Sequence, residues 1–334
     1  MIAPATLVEL RDAVLSAPRV IAVGARTKPR LSDVDAVAIT TTAVAGITEY
    51  DPGEFTVTAL AGTPVAELVA ELARRGQHLP FDPLLVEAGS TIGGVVAADA
   101  GGPGRFRHGG VRDFILGVGF VDGAGRWLRL GGKVVKNAAG FDVPKFLVGS
   151  LGRFAVIGTV TFKVFPRPER RLTLRLPFTP RALADLARSR YPIDALDLPP
   201  GHDDMLVRLA GPAAALDALA RGIGGREEDD GLWREIVETP WGFRTDIVAA
   251  EITAHRAAHV SGGGSVAWSL VAPPRGLTLR GSAPLWIGDR PRFAIEAAVK
   301  EALDPVGRFP TLDDWTGAPA PPTPPSLPSP AGTS

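Results

Sequence analysis

The sequence predicts an α+β protein with more than one domain, and three observations carry that expectation. The chain has 334 residues, long for a single core, and 45% of them are apolar, enough to fill two. Short apolar runs of strand character alternate with segments whose apolar residues recur at helical spacing. Near residue 168 the texture changes, from glycine-rich loops between short strands to a more regular succession of strands and helices.

Taken in order, "MIAPATLVELRDAVLSAP" predicts an amphipathic helix with Leu7, Leu10, Val14 and Leu15 on one side; it lacks the basic flank and apolar run of a signal peptide. "RVIAVG", "VDAVAIT" and "EFTVTAL" read as strands. "GTPVAELVAELARRG" predicts a helix capped by Thr63, with Pro64 in its first turn and Val65, Leu68, Val69 and Leu72 as the apolar stripe. Arg74 and Arg75 complement its negative end and Gly76 stops it. "FILGVGFVDG" and "VIGTVTFKVF" are further strands, and "VDGAG" before "RWLRL" signals a hairpin. "PRPER" at 166–170 marks a domain border. Beyond it, "RLTLRLPF" and "MLVRLAG" read as strands, and "TPRALADLARSR" and "PAAALDALARG" as helices, which suggests a small α+β cap. "RPRFAIEAAVKEALDP" gives a last helix. The Pro/Ala/Ser-rich tail at 313–334 has no means of forming a core and is expected to be disordered.

Composition removes several function classes. The chain has no cysteine, which excludes disulfides, thiolate catalysis and iron–sulfur ligation by its own side chains. With 36 basic and 36 acidic residues it has no global field to recruit nucleic acid. Residues 101–175 nevertheless carry 14 Lys/Arg against 4 Asp/Glu, a basic belt that suits either a solvated face or an anionic ligand. No run approaches the roughly 18 apolar residues of a membrane span. A cytoplasmic chain is expected.

Three glycine- or small-residue-rich segments stand out. The first is "VIAVGARTKPR", the second "AGSTIGGVVAADAGGPGRFRHGG". The third is "GGKVVKNAAGFDVPKFLVGSLGRFAVIG", which holds the chain's one asparagine, Asn137, and Lys133, Lys136 and Lys145 of its six lysines. Glycine lets backbone approach a ligand closely, and consecutive free N–H groups make nests for anions. No P-loop is present, because Ser/Thr does not follow the lysine of "GGKV"; nor does a G-x-G-x-x-G open a helix as in a Rossmann unit. Spacing alone leaves both structural turns and a nucleotide cradle open.

The set "EYDPGEFTVTALAGTPVAEL", "GQHLPFDP", "STIGGVVA", "HGGVRDFILGV", "GGKVVKNAAGFDVPKFLVGSLG" and "FKVFPRP", in that order, resembles the FAD-binding domain of the vanillyl-alcohol oxidase (PCMH-type) flavoproteins. Within it, the set is most similar to the FAD-binding E subunits of bacterial glycolate oxidases. "EALDPVGRF" resembles the closing segment that returns to the FAD domain. The resemblance implies a PCMH-type FAD-binding domain at 1–168, made of two α+β subdomains at about 1–55 and 56–168. It also implies a smaller α+β cap at 169–285 and a returning segment at 286–312. Noncovalent FAD would be wrapped by Gly24, Ala25, Arg26, Thr27 and Lys28, and met by Ser90, Thr91, Gly93 and Gly94. Ala98, Gly101 and Gly102 would pass near the isoalloxazine, with His108 near the flavin edge or a phosphate. Gly149, Ser150, Gly152 and Ile157 would line the adenosine side, and Pro80 would start one wall. The chain departs from the family pattern at Ala25, Arg26, Phe141, Arg153, Ala155 and Pro310.

The function implied is that of an FAD-binding subunit of a glycolate (2-hydroxy acid) oxidase/dehydrogenase complex. Its partners would be a larger FAD-binding D subunit and an iron–sulfur F subunit, its substrate a small 2-hydroxy acid, and its place cytoplasmic or peripheral to the inner membrane through that complex. Two alternatives stay open: a self-sufficient FAD-linked dehydrogenase of another alcohol or hydroxy acid, and a scaffold that has lost FAD. The residues assign no catalytic base and no metal site. His255 and His259 of "HRAAH" would share a face if helical, but a surface pair is the expectation. Asp113 is expected to pair Arg112 or Arg107, and Asp142 to accept backbone N–H bonds.

Overall fold

The computed structural model describes residues 1–132, 142–290, 292 and 294–316. Lys133, Lys136, Asn137 and Phe141 of the third glycine-rich segment, and the predicted tail from residue 317, lie outside the described residues.

The chain opens with helix α1 (Leu7–Leu15), capped by Thr6, whose Oγ1 accepts from the Glu9 N–H at 3.1 Å. Leu10, Ala13 and Val14 are buried, whereas Leu15, at the helix end and lying over Gly125, is half-exposed. Because the cap satisfies one otherwise orphaned amide, Thr6→Ala is expected to lower stability by about 1 kcal/mol in urea unfolding. Strands β1 (Val20–Val23) and β2 (Val37–Thr40) pair in parallel. A five-stranded antiparallel sheet follows in the order Ile47–Asp51, Thr56–Leu60, Val156–Lys163, Ile115–Val121, Trp127–Gly131.

Strand Val156–Lys163 is buried at nearly every position because both its faces are covered. On one side Val160 and Phe162 pack with helix α2 (Val65–Arg74) and helix α3 (Ile92–Ala98); on the other Val156 packs with Leu10 and Val14 of α1. The hairpin at "VDGAG" forms as expected, with the Asp122 carboxylate accepting from the N–H groups of Ala124 and Arg126. Thr63 does not cap α2. Its hydroxyl is engaged by Gly46, accepting from N–H at 2.9 Å and donating to C=O at 3.1 Å, and Pro64 holds the N-cap position instead.

Beyond residue 169 the architecture is richer than the small cap expected. One four-stranded antiparallel sheet runs Ile193–Asp197, Asp204–Gly211, Arg170–Pro177, Arg226–Glu228, backed by helices Pro180–Ala187 and Ala213–Ile223. The predicted strands and helices here are present, and Thr179 caps the first helix through the Ala182 N–H. A second five-stranded sheet has the order His259–Ser261, Val266–Ser269, Phe243–Asp246, Gly276–Thr278, Trp286–Ile287. Val266, Trp268, Leu277 and Leu285 of that sheet and its loops join the core of the N-terminal sheet, so the two share packing.

The "HRAAH" expectation fails. His255 ends a 3₁₀ turn (Ala249–His255) and His259 starts a strand, so they share no helix face. His259 is not a surface residue: it is buried, hydrogen-bonded to the equally buried Asp197 at 2.8 Å and stacked on Trp241. Asp113 pairs neither arginine but accepts from the Gly110 N–H at 2.9 Å, whereas Asp142 accepts from the Lys145 N–H at 3.2 Å, as expected.

The segment after helix Glu296–Leu303 packs on the start of the chain. Phe309 is buried among Leu10, Val14 and Val20, the Val20 N–H donates to the Arg308 carbonyl at 3.0 Å, and the Arg308 guanidinium donates to the carbonyl of Gly123 at 2.9 Å. The first residues of the predicted disordered tail are tied down instead. Asp313 pairs with Arg290 at 2.8 Å and Asp314 with Arg19 at 2.7 Å, while Trp315 lies under the Arg30 guanidinium at 4.7 Å.

Candidate functional site

Three backbone segments converge on one cleft. The loop leaving β1 brings Gly24, Ala25, Arg26, Thr27 and Lys28; the start of α3 brings Thr91, Gly93 and Gly94, with Ala97 and Ala98 further along; and the turn before the strand Val156–Lys163 brings Leu151, Gly152, Ala155 and Ile157. Thr41 and Ala61 close the floor, and the volume with its open mouth is about 720 Å³. Among the described residues its lining holds two cations, Arg26 and Lys28, and no carboxylate or histidine.

Local geometry explains the residue choices. Thr91 caps α3, its Oγ1 accepting from the Gly94 N–H at 3.3 Å, and a Cβ on Gly24 would lie 2.4 Å from that same Oγ1. The first loop can therefore touch the helix start only as glycine. At Gly94 an added Cβ would meet nothing but Thr91 Oγ1, at 3.1 Å, so any longer side chain there grows into the cleft. Arg26 is left-handed at φ 56°, the conformation that alternates with right-handed residues in anion nests. The N–H groups of Ala25, Arg26, Thr27 and Lys28 donate to no acceptor among the described residues. Four bare amides with a nearby cation are what a diphosphate requires, and the fit to FAD holds on that ground.

Lys28 is buried, its Nζ donating to Thr27 Oγ1 at 3.1 Å and Ser90 Oγ at 3.4 Å. Burial, reinforced by the Arg280 charge and only partly opposed by Glu238, lowers its pKa to about 8. Ser90 thus lies directly behind the lining, joined also to Thr27 at 3.0 Å.

Other sequence-selected residues fall elsewhere. Gly149 lines an adjoining cleft of about 1150 Å³, mouth included, with Asp99, Arg244 and Trp286; Ala98 and Leu151 line both clefts. Ser150 is buried and its hydroxyl has no partner. Pro80, Gly101 and Gly102 do not line the first cleft. They join two segments distant in sequence: the Gly102 N–H donates to the carbonyls of Phe81 and Asp82 at 2.8 Å, Gly101 bridges Pro83, and the Pro80 carbonyl abuts Gly104. His108 points to the cap, bonding Asp194 at 3.1 Å, with its ring 5.8 Å from that of Phe165.

The departures from pattern resolve structurally. Ala155 has no left-handed φ, so its methyl is unstrained. Arg153 is no cleft residue: its guanidinium is fully buried and donates to the Leu31 carbonyl at 2.9 Å, and burial pulls its pKa down to about 10.

One long-range contact escaped the sequence reading. Arg244, from the second sheet, donates to the carbonyls of Ala98 and Asp99 at 3.3 and 3.2 Å and to the Asp99 carboxylate at 2.8 Å. It therefore holds the C-terminal end of α3, where Asp99 is left-handed at φ 47°. Burial opposes its charge, but Asp99 and Asp246 more than restore it, and the pKa is raised. No sequence signal links positions 99 and 244.

Residues 1–131 match the family described as FAD binding domain. "Glycolate oxidase subunit GlcE" of Escherichia coli (strain K12) is 37% identical over 195 residues, 58% of this chain and 56% of that protein. "Glycolate oxidase subunit GlcD" of Bacillus subtilis (strain 168) is 32% identical over 128 residues, 38% of this chain and 27% of that protein. The chain thus aligns with little more than half the length of the first relative and about a quarter of the second. Among solved structures, alkyldihydroxyacetonephosphate synthase superposes with a TM-score of 0.64 at 16% identity, covering 92% of this chain and 74% of that one. Residues 1–131 are thus similar to the FAD binding domain family, and the chain shares its fold with alkyldihydroxyacetonephosphate synthase.

Proposed function

We propose that the chain is the FAD-binding subunit of a glycolate (2-hydroxy acid) oxidase complex, an FAD-dependent oxidoreductase acting on CH–OH groups. The observation that carries this reading is the run of bare amides from Ala25 to Lys28 facing the glycine-lined start of α3, in a chain similar to glycolate oxidase subunits. When bound, FAD supplies the redox chemistry, accepting the hydride equivalent of glycolate on its way to glyoxylate and passing electrons onward. The chain's own residues bind and orient. The first loop would hold the diphosphate, Gly24 and Gly94 would let the cofactor approach, and Arg244 fixes the far end of α3 so that both clefts keep their register. Ala98 and Leu151, shared by the two clefts, support a path for an extended dinucleotide toward Gly149 and Trp286.

The proposed division is an FAD domain at 1–168, a cap at 169–285 and a returning segment at 286–312. Noncovalent attachment is supported by a cleft lining without histidine in a chain without cysteine. The proposed partners are a larger FAD-binding D subunit and an iron–sulfur F subunit, since this chain has no thiolate to carry electrons itself. Among the described residues no helix is long and apolar enough to cross a membrane, compatible with a cytoplasmic or membrane-peripheral complex.

The test is a visible absorption spectrum of the purified chain and of its complex, repeated after acid precipitation. A flavin spectrum whose chromophore passes to the supernatant is expected, as is glycolate-dependent reduction of an artificial acceptor by the complex. A chain that stays colourless after incubation with FAD, or a flavin retained in the precipitate, would overturn the cofactor assignment in its first or second part.

A further inference from the structure

The Lys28 amine is placed unlike an ordinary surface lysine. It lines the cleft, has almost no exposure, and is solvated by two hydroxyls, Thr27 Oγ1 and Ser90 Oγ, with no carboxylate in contact. The charged groups that act on it are Arg280, from the loop after strand Gly276–Thr278, which opposes its charge, and the more weakly felt Glu238, at the end of helix Gly231–Glu238, which favours it. A buried ammonium left with hydroxyl partners alone carries an uncompensated desolvation cost. Ala25 to Lys28, whose amides have no acceptor among the described residues, line the same cleft.

We propose that Lys28 is a proton-linked anchor for the diphosphate of a dinucleotide: the ligand supplies the counter-charge the site lacks, so that binding takes up a proton on the Lys28 amine. This rests on the FAD reading above and extends it from the main chain to a side chain. In the ligand-free chain the amine titrates at about pH 8. With a diphosphate beside it the ammonium is favoured and its titration moves to higher pH. The sign follows from linkage: the group is more protonated in the complex, so affinity is fully present below pH 8 and falls as pH rises above it. Arg26 is the other cation of the lining.

The experiment uses the full chain freed of cofactor and titrated with FAD from pH 6.5 to 9, below the titration of the flavin ring itself, with quenching of flavin fluorescence as the readout. Between pH 6.5 and 7.5 the dissociation constant should be flat, and above pH 8 it should rise toward tenfold per pH unit. Calorimetry at pH 8.5 in two buffers of different ionisation enthalpy should show uptake of about half a proton or more per FAD bound. Lys28→Arg should bind without the slope, and Lys28→Met should bind at least about tenfold more weakly at pH 7, also without the slope. The calorimetric arm needs no variant and stands if either fails to fold. Binding that is independent of pH with no proton uptake would overturn the anchor and leave the FAD reading intact. No binding at any pH would overturn both.

Discussion

Gly94→Leu is expected to yield a chain that folds but does not retain FAD, with affinity reduced at least about 100-fold, close to 2.7 kcal/mol. The reason is geometric. Gly94 follows the cap residue Thr91, whose hydroxyl is the sole neighbour an added Cβ would meet, so an isobutyl group is not stopped by protein and occupies the cleft. Leucine also has better helix propensity than glycine, and helix α3 should persist. The measurement is the ratio of flavin to protein absorbance after gel filtration with excess FAD, beside a urea unfolding curve of the cofactor-free chain. Undiminished flavin in a folded variant would mean that the diphosphate cradle is elsewhere. Gly93→Leu serves as a contrast: its Cβ would lie 2.8 Å from that of Ala61, so stability rather than binding should suffer first.

The second large effect belongs to Arg208. This buried side chain in the first cap sheet donates to Asp194 at 2.7 Å, pairs with Asp82 of the N-terminal half, and lies 4.9 Å from the Trp233 ring centroid. Arg208→Met leaves two largely buried carboxylates without their shared cation and is expected to cost about 3–5 kcal/mol in urea unfolding. Asp194→Asn in that background should recover part of the loss, because the two positions share one network. Wild type adds a pH signature. Burial would raise the Asp194 pKa, but the hydrogen bond from His108 and the charges of Arg208 and Arg171 together outweigh it and hold the carboxyl well below its usual range. A depressed folded pKa means that the stabilisation is complete above the unfolded value of about 3.9 and disappears as pH falls below it toward the folded value. The acid limb of the wild-type stability curve should therefore be steeper than that of Arg208→Met. Parallel limbs would show that the ion network contributes nothing across that range.

Elements whose signals are local were legible in the sequence. The stripe of α2, the Thr179 cap and the Asp122 hairpin depend on residues within a few positions of one another, and each formed, although Val69 of the expected stripe is exposed while Val65, Leu68 and Leu72 are buried. Parts of all three glycine-rich segments share a cleft, but the loop reading holds only in part: Ile92–Ala98 and Arg105–His108 of the second segment and Val143–Leu147 of the third are helical. What escaped depends on contacts distant in sequence. Strands of two to four residues in the second sheet, such as Trp286–Ile287, are too short for periodicity to register and exist because Trp268 and Leu277 pack on helices far upstream. His259 read as a surface residue because its partner, Asp197, lies 62 positions away. Thr63 read as a cap because nothing local reveals that Gly46 competes for its hydroxyl. Pro80, Gly101 and Gly102 have the composition of a ligand loop but serve a contact between two segments about 20 positions apart, with Gly102 donating to Phe81 and Asp82.

Phe309 completes the cluster formed by Leu10, Val14 and Val20, and the carbonyl of Arg308 receives the first amide of β1. During synthesis the ribosome delivers these groups only after the whole cap has emerged. The strand that leads into the loop at 24–28 therefore waits, incompletely packed, until residue 309 has been made. Under the proposed FAD reading, a nascent chain stalled in the cap is expected to be unready to capture flavin.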